Sequence, residues 1–66
     1  MNLKKLRSVI DVKGYRHDYI AECLDINRYT FSLKINGKNE FKWSEIEKLA
    51  EILRLTAKER NEIFFN

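Results

Sequence analysis

Residues 17–37 read HDYIAECLDINRYTFSLKING and contain two short apolar-periodic runs, separated by Asp-Ile-Asn at 25–27. The spacing of the apolar residues predicts one helix at about 17–24 and another at about 28–35. Asp and Asn favour turns, and the Asn-Gly at the end of the segment is a helix stop signal. Two helices this short bury little surface alone, so the rest of the chain must support them. The second helix is expected to protrude.

Helix signals also lie on both sides of this segment. Leucine and isoleucine at helical spacing predict a helix from about residue 2 to 13, which Gly14 can close in a left-handed conformation. Downstream, SEIE at 44–47 and TAKE at 56–59 match the capping-box pattern of a helix start. Because the chain contains no proline, we predict an all-α protein of five helices in a single domain, residues 1–66.

The composition limits the class of protein. The 66 residues are 44% hydrophobic and 35% charged, which is typical of one small globular domain. Cys23 is the only cysteine, so no internal disulfide, no metal site and no cofactor are expected. No signal peptide or membrane span is visible, which favours a cytoplasmic protein without a membrane partner.

The positive charge is concentrated in the first part of the chain. Residues 1–38 carry eight Lys/Arg against four Asp/Glu, whereas residues 39–66 carry five against six. This asymmetry is compatible with docking of a polyanion on the first part and equally with an ordinary surface of mixed charge.

Over residues 6–55 the chain resembles the lambda-repressor-like (Cro/repressor, XRE-type) helix-turn-helix family, with the motif at about 17–37. Ala21 stands where that family keeps a small residue so that two helices can approach closely. The buried positions of the motif are occupied here by Ile20, Leu24, Ile26 and Phe31. Asn-Gly-Lys at 36–38 matches the common ending of the recognition helix, and SEIEKLA at 44–50 is similar to the fourth helix. The resemblance implies a five-helix DNA-binding fold.

Four positions depart from the family pattern. Asp25 replaces the usual turn glycine, and Asp can adopt a left-handed turn at some energetic cost. Arg16 stands where a Ser or Thr cap is common, and His17 replaces the usual Gln. Lys34 occupies a position that is often apolar. Its aliphatic stem can cover the edge of the core while its ammonium reaches a phosphate.

The resemblance also implies which residues contact DNA. Base-edge contacts are expected from the start and outward face of the third helix: Asn27, Arg28, Tyr29 and Ser32, with Leu33 as a further candidate. Phosphate contacts are expected from the start of the second helix and from the end of the third with the loop that follows: His17, Lys34, Gly37 through its backbone amide, Lys38 and Lys42. Arg28 is the foremost candidate, because its guanidinium can bind O6 and N7 of guanine together.

Three of these residues have alternative roles. Asn27 either contacts adenine or caps the third helix through a backbone N–H. Tyr29 either meets a thymine methyl group or a phosphate, or packs against a neighbouring helix. His17 either contacts a phosphate or is a packing residue.

Aromatic residues near the end of the chain have two interpretations as well. The apolar tail at 62–66 predicts a homodimer interface formed by Ile63, Phe64 and Phe65, in solution or only on DNA. Alternatively, Phe64 enters the core and Phe65 covers its edge. Phe41 and Trp43 are expected to anchor the core, with base stacking as the other possibility.

The expected function is therefore sequence-specific binding of double-stranded DNA by a transcriptional regulator, a repressor of the phage or mobile-element type. Catalysis is not expected, because His17 and Cys23 do not share a helix face and no Gly-rich phosphate loop or metal-ligand cluster appears. No small-molecule ligand is expected either. The alternative is an antitoxin or modulator whose main partner is another protein.

Overall fold

The chain folds into five α-helices, and the computed structural model, which describes residues 1–65, contains no strand in that range. The helices are α1 (Leu3–Lys13), α2 (His17–Cys23), α3 (Arg28–Ile35), α4 (Trp43–Ile52) and α5 (Ala57–Phe64). The prediction of an all-α fold with five helices is confirmed, and the first three helices begin and end within one residue of the predicted bounds. Asn66, the last residue of the apolar tail, lies outside the described residues. None of these helices is long and apolar enough to cross a membrane.

All five helices contribute to one hydrophobic core. Its largest fully buried side chains are Leu6, Ile10, Ile20, Phe31, Ile35, Leu49, Leu53 and Ile63. Phe31 of α3 contacts the aromatic ring of His17, edge-on at 5.3 Å between centroids, and that of Phe41 at 6.1 Å. Of the motif positions expected to be buried, Ile20, Leu24 and Phe31 are buried, and Ile26 is half-buried.

Four helices end in the same left-handed turn. The residues with positive φ are Gly14 (79°), Asp25 (60°), Gly37 (79°) and Arg54 (52°). In each turn the following residue donates its N–H to the carbonyl five positions back: Tyr15 to Ile10 (3.1 Å), Ile26 to Ala21 (3.0 Å), Lys38 to Leu33 (2.8 Å) and Leu55 to Ala50 (3.0 Å). This is the Schellman motif, and in three cases the following residue is apolar and packs against the core.

Of the two capping boxes predicted from the sequence, one is found in the structure. The capping box at 56–59 is confirmed, since Thr56 Oγ1 accepts the Glu59 N–H (3.1 Å) and the Glu59 carboxylate accepts the Thr56 N–H (2.9 Å). The capping box predicted at 44–47 is wrong. Helix α4 begins two residues earlier, because the carboxylate that reaches back is that of Glu45, which accepts the backbone N–H of Lys42 at 2.7 Å.

The left-handed turns predict two opposite mutational effects. We expect Asp25→Gly to raise the free energy of unfolding by up to about 1 kcal/mol, because it removes a Cβ from a left-handed residue. We expect Gly14→Ala to lower it by about 1 kcal/mol through backbone strain alone, since an added Cβ at Gly14 meets no atom within 4 Å. Urea unfolding of both variants measures these changes. A loss of stability in Asp25→Gly would contradict the strain argument.

Candidate nucleic-acid interface

Helices α2 and α3 pack directly against each other and are joined by residues 24–27. Ala21 of α2 is 1% exposed at this junction, and its carbonyl accepts the N–H of Ile26. A larger side chain at Ala21 would separate the two helices, so the small residue sets their close approach. The result is a short α3 supported from behind by the rest of the protein.

The outer face of α3 is polar and accessible. Arg28 is exposed, and Tyr29 keeps 71% of its surface accessible. Ser32 and Leu33, one turn further on, are half-exposed, and they continue the face that Tyr29 begins. Tyr29 therefore does not pack against a neighbouring helix, which removes the alternative role considered for it.

Asn27 is the N-cap of α3. Its Oδ1 accepts the backbone N–H of Thr30 at 2.7 Å, which confirms the capping role. This hydrogen bond holds the Asn27 side chain against the backbone of the first turn. Asn27 is exposed beside Arg28, and its contact with a base stays a prediction.

His17 lies at the start of α2 with its ring half-buried against Phe31. The packing role is confirmed, while the phosphate contact stays a prediction. His17 and Arg28 line one cleft between the ends of α1, α2 and α3. Arg16 in the same cleft forms two hydrogen bonds with the Asp18 carboxylate, at 3.2 and 3.1 Å.

Acidic residues border α3 on its α2 side. Asp18, Glu22 and Asp25 line a shallow groove together with Arg28. Desolvation raises the pKa of Asp18, but hydrogen bonds from Arg16 and from the Tyr19 N–H outweigh it and lower the pKa below its usual value. The Asp18 carboxylate therefore stays ionised and is neutralised locally by Arg16.

Lys34 does not reach the surface. Its side chain is 8% exposed, and its Nζ lies 2.6 Å from Oε1 of Glu45, which is equally buried. The predicted phosphate contact of Lys34 is wrong, because this position on α3 faces α4 and the ammonium pairs with an internal carboxylate. Of the two parts of that prediction, only the packing of the aliphatic stem against the core edge survives.

The backbone amide of Gly37 is also unavailable to a phosphate. It donates to the carbonyl of Lys34 at 3.2 Å within the Schellman turn, and the amides of Lys38 and Asn39 both donate to Leu33. Gly37 is therefore removed from the candidate phosphate contacts. The side chains of Lys38 and Lys42, in the loop between α3 and α4, are exposed and remain candidates.

Arg7 was missed by the sequence analysis. Its Nη1 donates to the carbonyl of Ile35 at 3.0 Å, which places a guanidinium from α1 at the C-terminal end of α3. No local pattern could have indicated this contact, because the two residues are separated by 28 positions. A cation here interacts favourably with the negative end of the α3 dipole.

The aromatic residues are arranged differently from the prediction. Phe41 is half-buried against Phe31, as expected of a core anchor. The core role of Trp43 is wrong, because this first residue of α4 is 58% exposed. Its ring instead contacts Phe65, which is 57% exposed, at 6.1 Å between centroids.

The apolar tail contributes mainly to the core. Ile63 is 0% and Phe64 is 9% exposed, so their assignment to a dimer interface is wrong and the alternative, Phe64 in the core, is confirmed. Their side chains complete the apolar interior that α5 shares with the other helices. Of the three residues predicted to form a dimer interface, Phe65 alone is accessible for contact with a second chain.

The Lys34–Glu45 pair predicts a specific pH dependence. Burial raises the pKa of Glu45, but hydrogen bonds from the Lys34 ammonium and the Lys42 N–H outweigh it, so the pKa lies below the usual 4.5. The stability from this carboxylate is therefore fully present above pH 4.5 and lost as the pH falls through the lower folded-state pKa.

We expect Glu45→Gln to lower the free energy of unfolding at pH 7 by about 3 kcal/mol, because it leaves the buried ammonium without its partner charge. The difference from the wild type should narrow as the pH falls below 4.5. Glu62→Gln is the control; it alters the exposed Lys5–Glu62 pair (3.4 Å) and should change stability by less than about 1 kcal/mol. Equal effects of both substitutions in urea unfolding would contradict the assignment.

Known proteins provide no further guide to this arrangement. Comparison with protein-family models, with curated proteins and with solved structures finds no match to the chain. The function must therefore be argued from the geometry and charge of the α2–α3 region.

Proposed function

We propose that the chain is a sequence-specific regulator of transcription that binds duplex DNA through a helix-turn-helix of the lambda-repressor-like type. In this proposal α2 and α3 form the motif, and α3 enters the major groove. The observation that carries the proposal is the two-sided character of α3. Its inner face is buried, whereas its outer face exposes Arg28 and Tyr29 beside the half-exposed Ser32. An α-helix with polar side chains on its outer face fits the major groove, where they can reach base edges.

Sequence recognition in this proposal depends mainly on the first turn of α3. Arg28 is its first helical residue and is exposed, so its guanidinium can extend toward a guanine edge. Tyr29 and Ser32 follow on the outward face, where they meet neighbouring base pairs or their backbone. Asn27 contributes chiefly by capping the helix.

The distribution of charge supports one orientation on DNA. Lys38 and Lys42 lie in the loop after α3, and the guanidinium of Arg7 is held at the same end of the helix. Glu22 and Asp25 lie on the α2 side, where their charges would repel a phosphate strand. We therefore infer that the closer phosphate strand runs past the loop between α3 and α4.

The exposed aromatic pair of Trp43 and Phe65 supports assembly into a homodimer, in solution or on DNA. Two copies related by two-fold symmetry would place their α3 helices in successive major grooves, and occupation of such an operator would block transcription. The same pair would serve the second candidate function, an antitoxin or modulator that binds another protein.

Selection of bound sequences from a random duplex library tests the proposal. Enrichment of an inverted repeat, with half-sites about 10 base pairs apart, is the expected result for a dimeric regulator. Absence of any enriched sequence with a folded protein would contradict it and favour the protein-binding candidate.

We expect Arg28→Ala to reduce the discrimination between the selected duplex and a scrambled one by about 1–3 kcal/mol. Arg28→Lys is the matched variant, because it keeps the charge but lacks the fork that binds O6 and N7 of guanine together. Arg28→Lys should retain non-specific affinity while losing most of the discrimination. Fluorescence anisotropy with the two duplexes measures both quantities. Full discrimination in Arg28→Ala would remove Arg28 from the base contacts.

Lys38→Ala should weaken binding to every sequence alike and reduce the slope of log affinity against log salt by about one unit. Lys58→Ala, which removes an exposed lysine from α5, is the control and should leave the slope unchanged. The measurement is a salt titration of binding to a non-specific duplex. Identical slopes for the two variants would show that Lys38 does not contact a phosphate.

A further inference from the structure

The Lys34–Glu45 ion pair differs from the other ion pairs found in residues 1–65. Both of its side chains are 8% exposed, whereas every other pair there keeps at least 27% of each side chain accessible. Removal of two charges from water carries a large desolvation penalty, and buried pairs often contribute no more stability than apolar residues of similar volume. Stability alone therefore does not explain why two charges are buried at this position.

Glu45 joins three parts of the structure through one oxygen. Its Oε1 accepts a hydrogen bond from Lys34 Nζ at 2.6 Å and another from the backbone N–H of Lys42 at 2.7 Å. Lys34 lies in the last turn of α3, Glu45 in the first turn of α4, and Lys42 ends the loop between them. The pair thus fixes the C-terminal half of α3 against the start of α4.

Charge-assisted hydrogen bonds restrict direction as well as distance, whereas apolar contacts do not. Apart from one hydrogen bond from Arg7 to the Ile35 carbonyl, the remaining contacts between α3 and the other helices are largely apolar, through Phe31 and Ile35. A single hydrogen bond at the C-terminal end leaves the helix able to rotate or shift by a fraction of its diameter at small cost. A shift of that size would displace Arg28 from hydrogen-bonding distance of a base.

We propose that Lys34 and Glu45 are positioning residues, which hold α3 in the one orientation that directs Arg28 and Tyr29 toward the bases. This inference rests on the proposed function. In this proposal the pair controls sequence discrimination although neither side chain contacts DNA. The predicted consequence is a loss of specificity when the pair is replaced without loss of the fold.

The test replaces both charges together. In Lys34→Met/Glu45→Gln the methionine fills the volume of the lysine stem, and the glutamine oxygen still accepts the Lys42 N–H. The second carboxylate oxygen of Glu45 is not a buried atom without a partner, so the glutamine NH₂ can take its place. The matched control is Lys5→Met/Glu62→Gln, which makes the same chemical change in the exposed pair between α1 and α5. Both variants keep the net charge of the wild type.

We expect Lys34→Met/Glu45→Gln to keep the circular dichroism spectrum and the non-specific DNA affinity of the wild type. Its discrimination between the selected and the scrambled duplex should fall about tenfold, which is equivalent to the loss of one base contact. The control should keep wild-type discrimination. Wild-type discrimination in Lys34→Met/Glu45→Gln would overturn the proposal.

If the double variant does not fold, Glu45→Asp replaces it. Its carboxylate keeps the charge but is one methylene shorter, so it cannot satisfy both Lys34 and Lys42. Reduced discrimination in a folded Glu45→Asp protein would support the proposal, and unchanged discrimination would overturn it.

Failure of the proposed function is distinguishable from failure of this inference. If the wild type selects no DNA sequence, amide hydrogen exchange of α3 in the free proteins tests whether Lys34 and Glu45 hold this helix in place. The exchange is measured in Lys34→Met/Glu45→Gln, or in Glu45→Asp if the double variant does not fold. Faster exchange at residues 31–35 than in the wild type, with wild-type rates in Lys5→Met/Glu62→Gln, would show that the pair holds the helix. Equal rates would overturn the inference.

Discussion

Helix α3 has only eight residues and must serve two surfaces at once. Phe31, Lys34 and Ile35 face inward, while Arg28 and Tyr29 face solvent. A helix of this length does not form alone in water, so its stability comes from the packing of the inner face. The rest of the structure follows from this requirement. Helices α1 and α2 pack against the inner face of α3, and Glu45 of α4 binds its Lys34, while the outer face stays open.

The turns between helices show how a short chain achieves this packing. Each of four helices ends in a left-handed residue, and in three of them the next residue is apolar and packs into the core. In these turns the left-handed residue redirects the chain, and the residue after it contributes a side chain to the core. Only two of the four left-handed positions, Gly14 and Gly37, are glycines. Asp25 and Arg54 accept a backbone strain that glycine would relieve.

Charge is used differently inside and outside the protein. The two pairs between α1 and α5 are more accessible and connect elements that the core already holds together, and such pairs contribute little stability. The internal pair of Lys34 and Glu45 connects α3 to the start of α4, where directional bonds supplement apolar packing. Arg7 makes a second polar connection, to the C-terminal end of α3. Two directional contacts thus converge on the helix that carries the proposed DNA-binding face.

The sequence alone determined the elements whose hydrogen bonds are local. The first three helices, the Asn27 cap and the capping box at 56–59 could be predicted because donor and acceptor lie within a few residues. The expectation that Arg28 and Tyr29 lie on an outward face of α3 is confirmed, since both are exposed. Only the tertiary structure decided which way side chains at the edge of the core face. Lys34 faces inward because a carboxylate 11 residues away accepts its ammonium, Arg7 reaches a carbonyl 28 residues away, and Trp43 contacts Phe65 outside the core. Such choices depend on partners that come together only when the helices pack, and no local pattern records them.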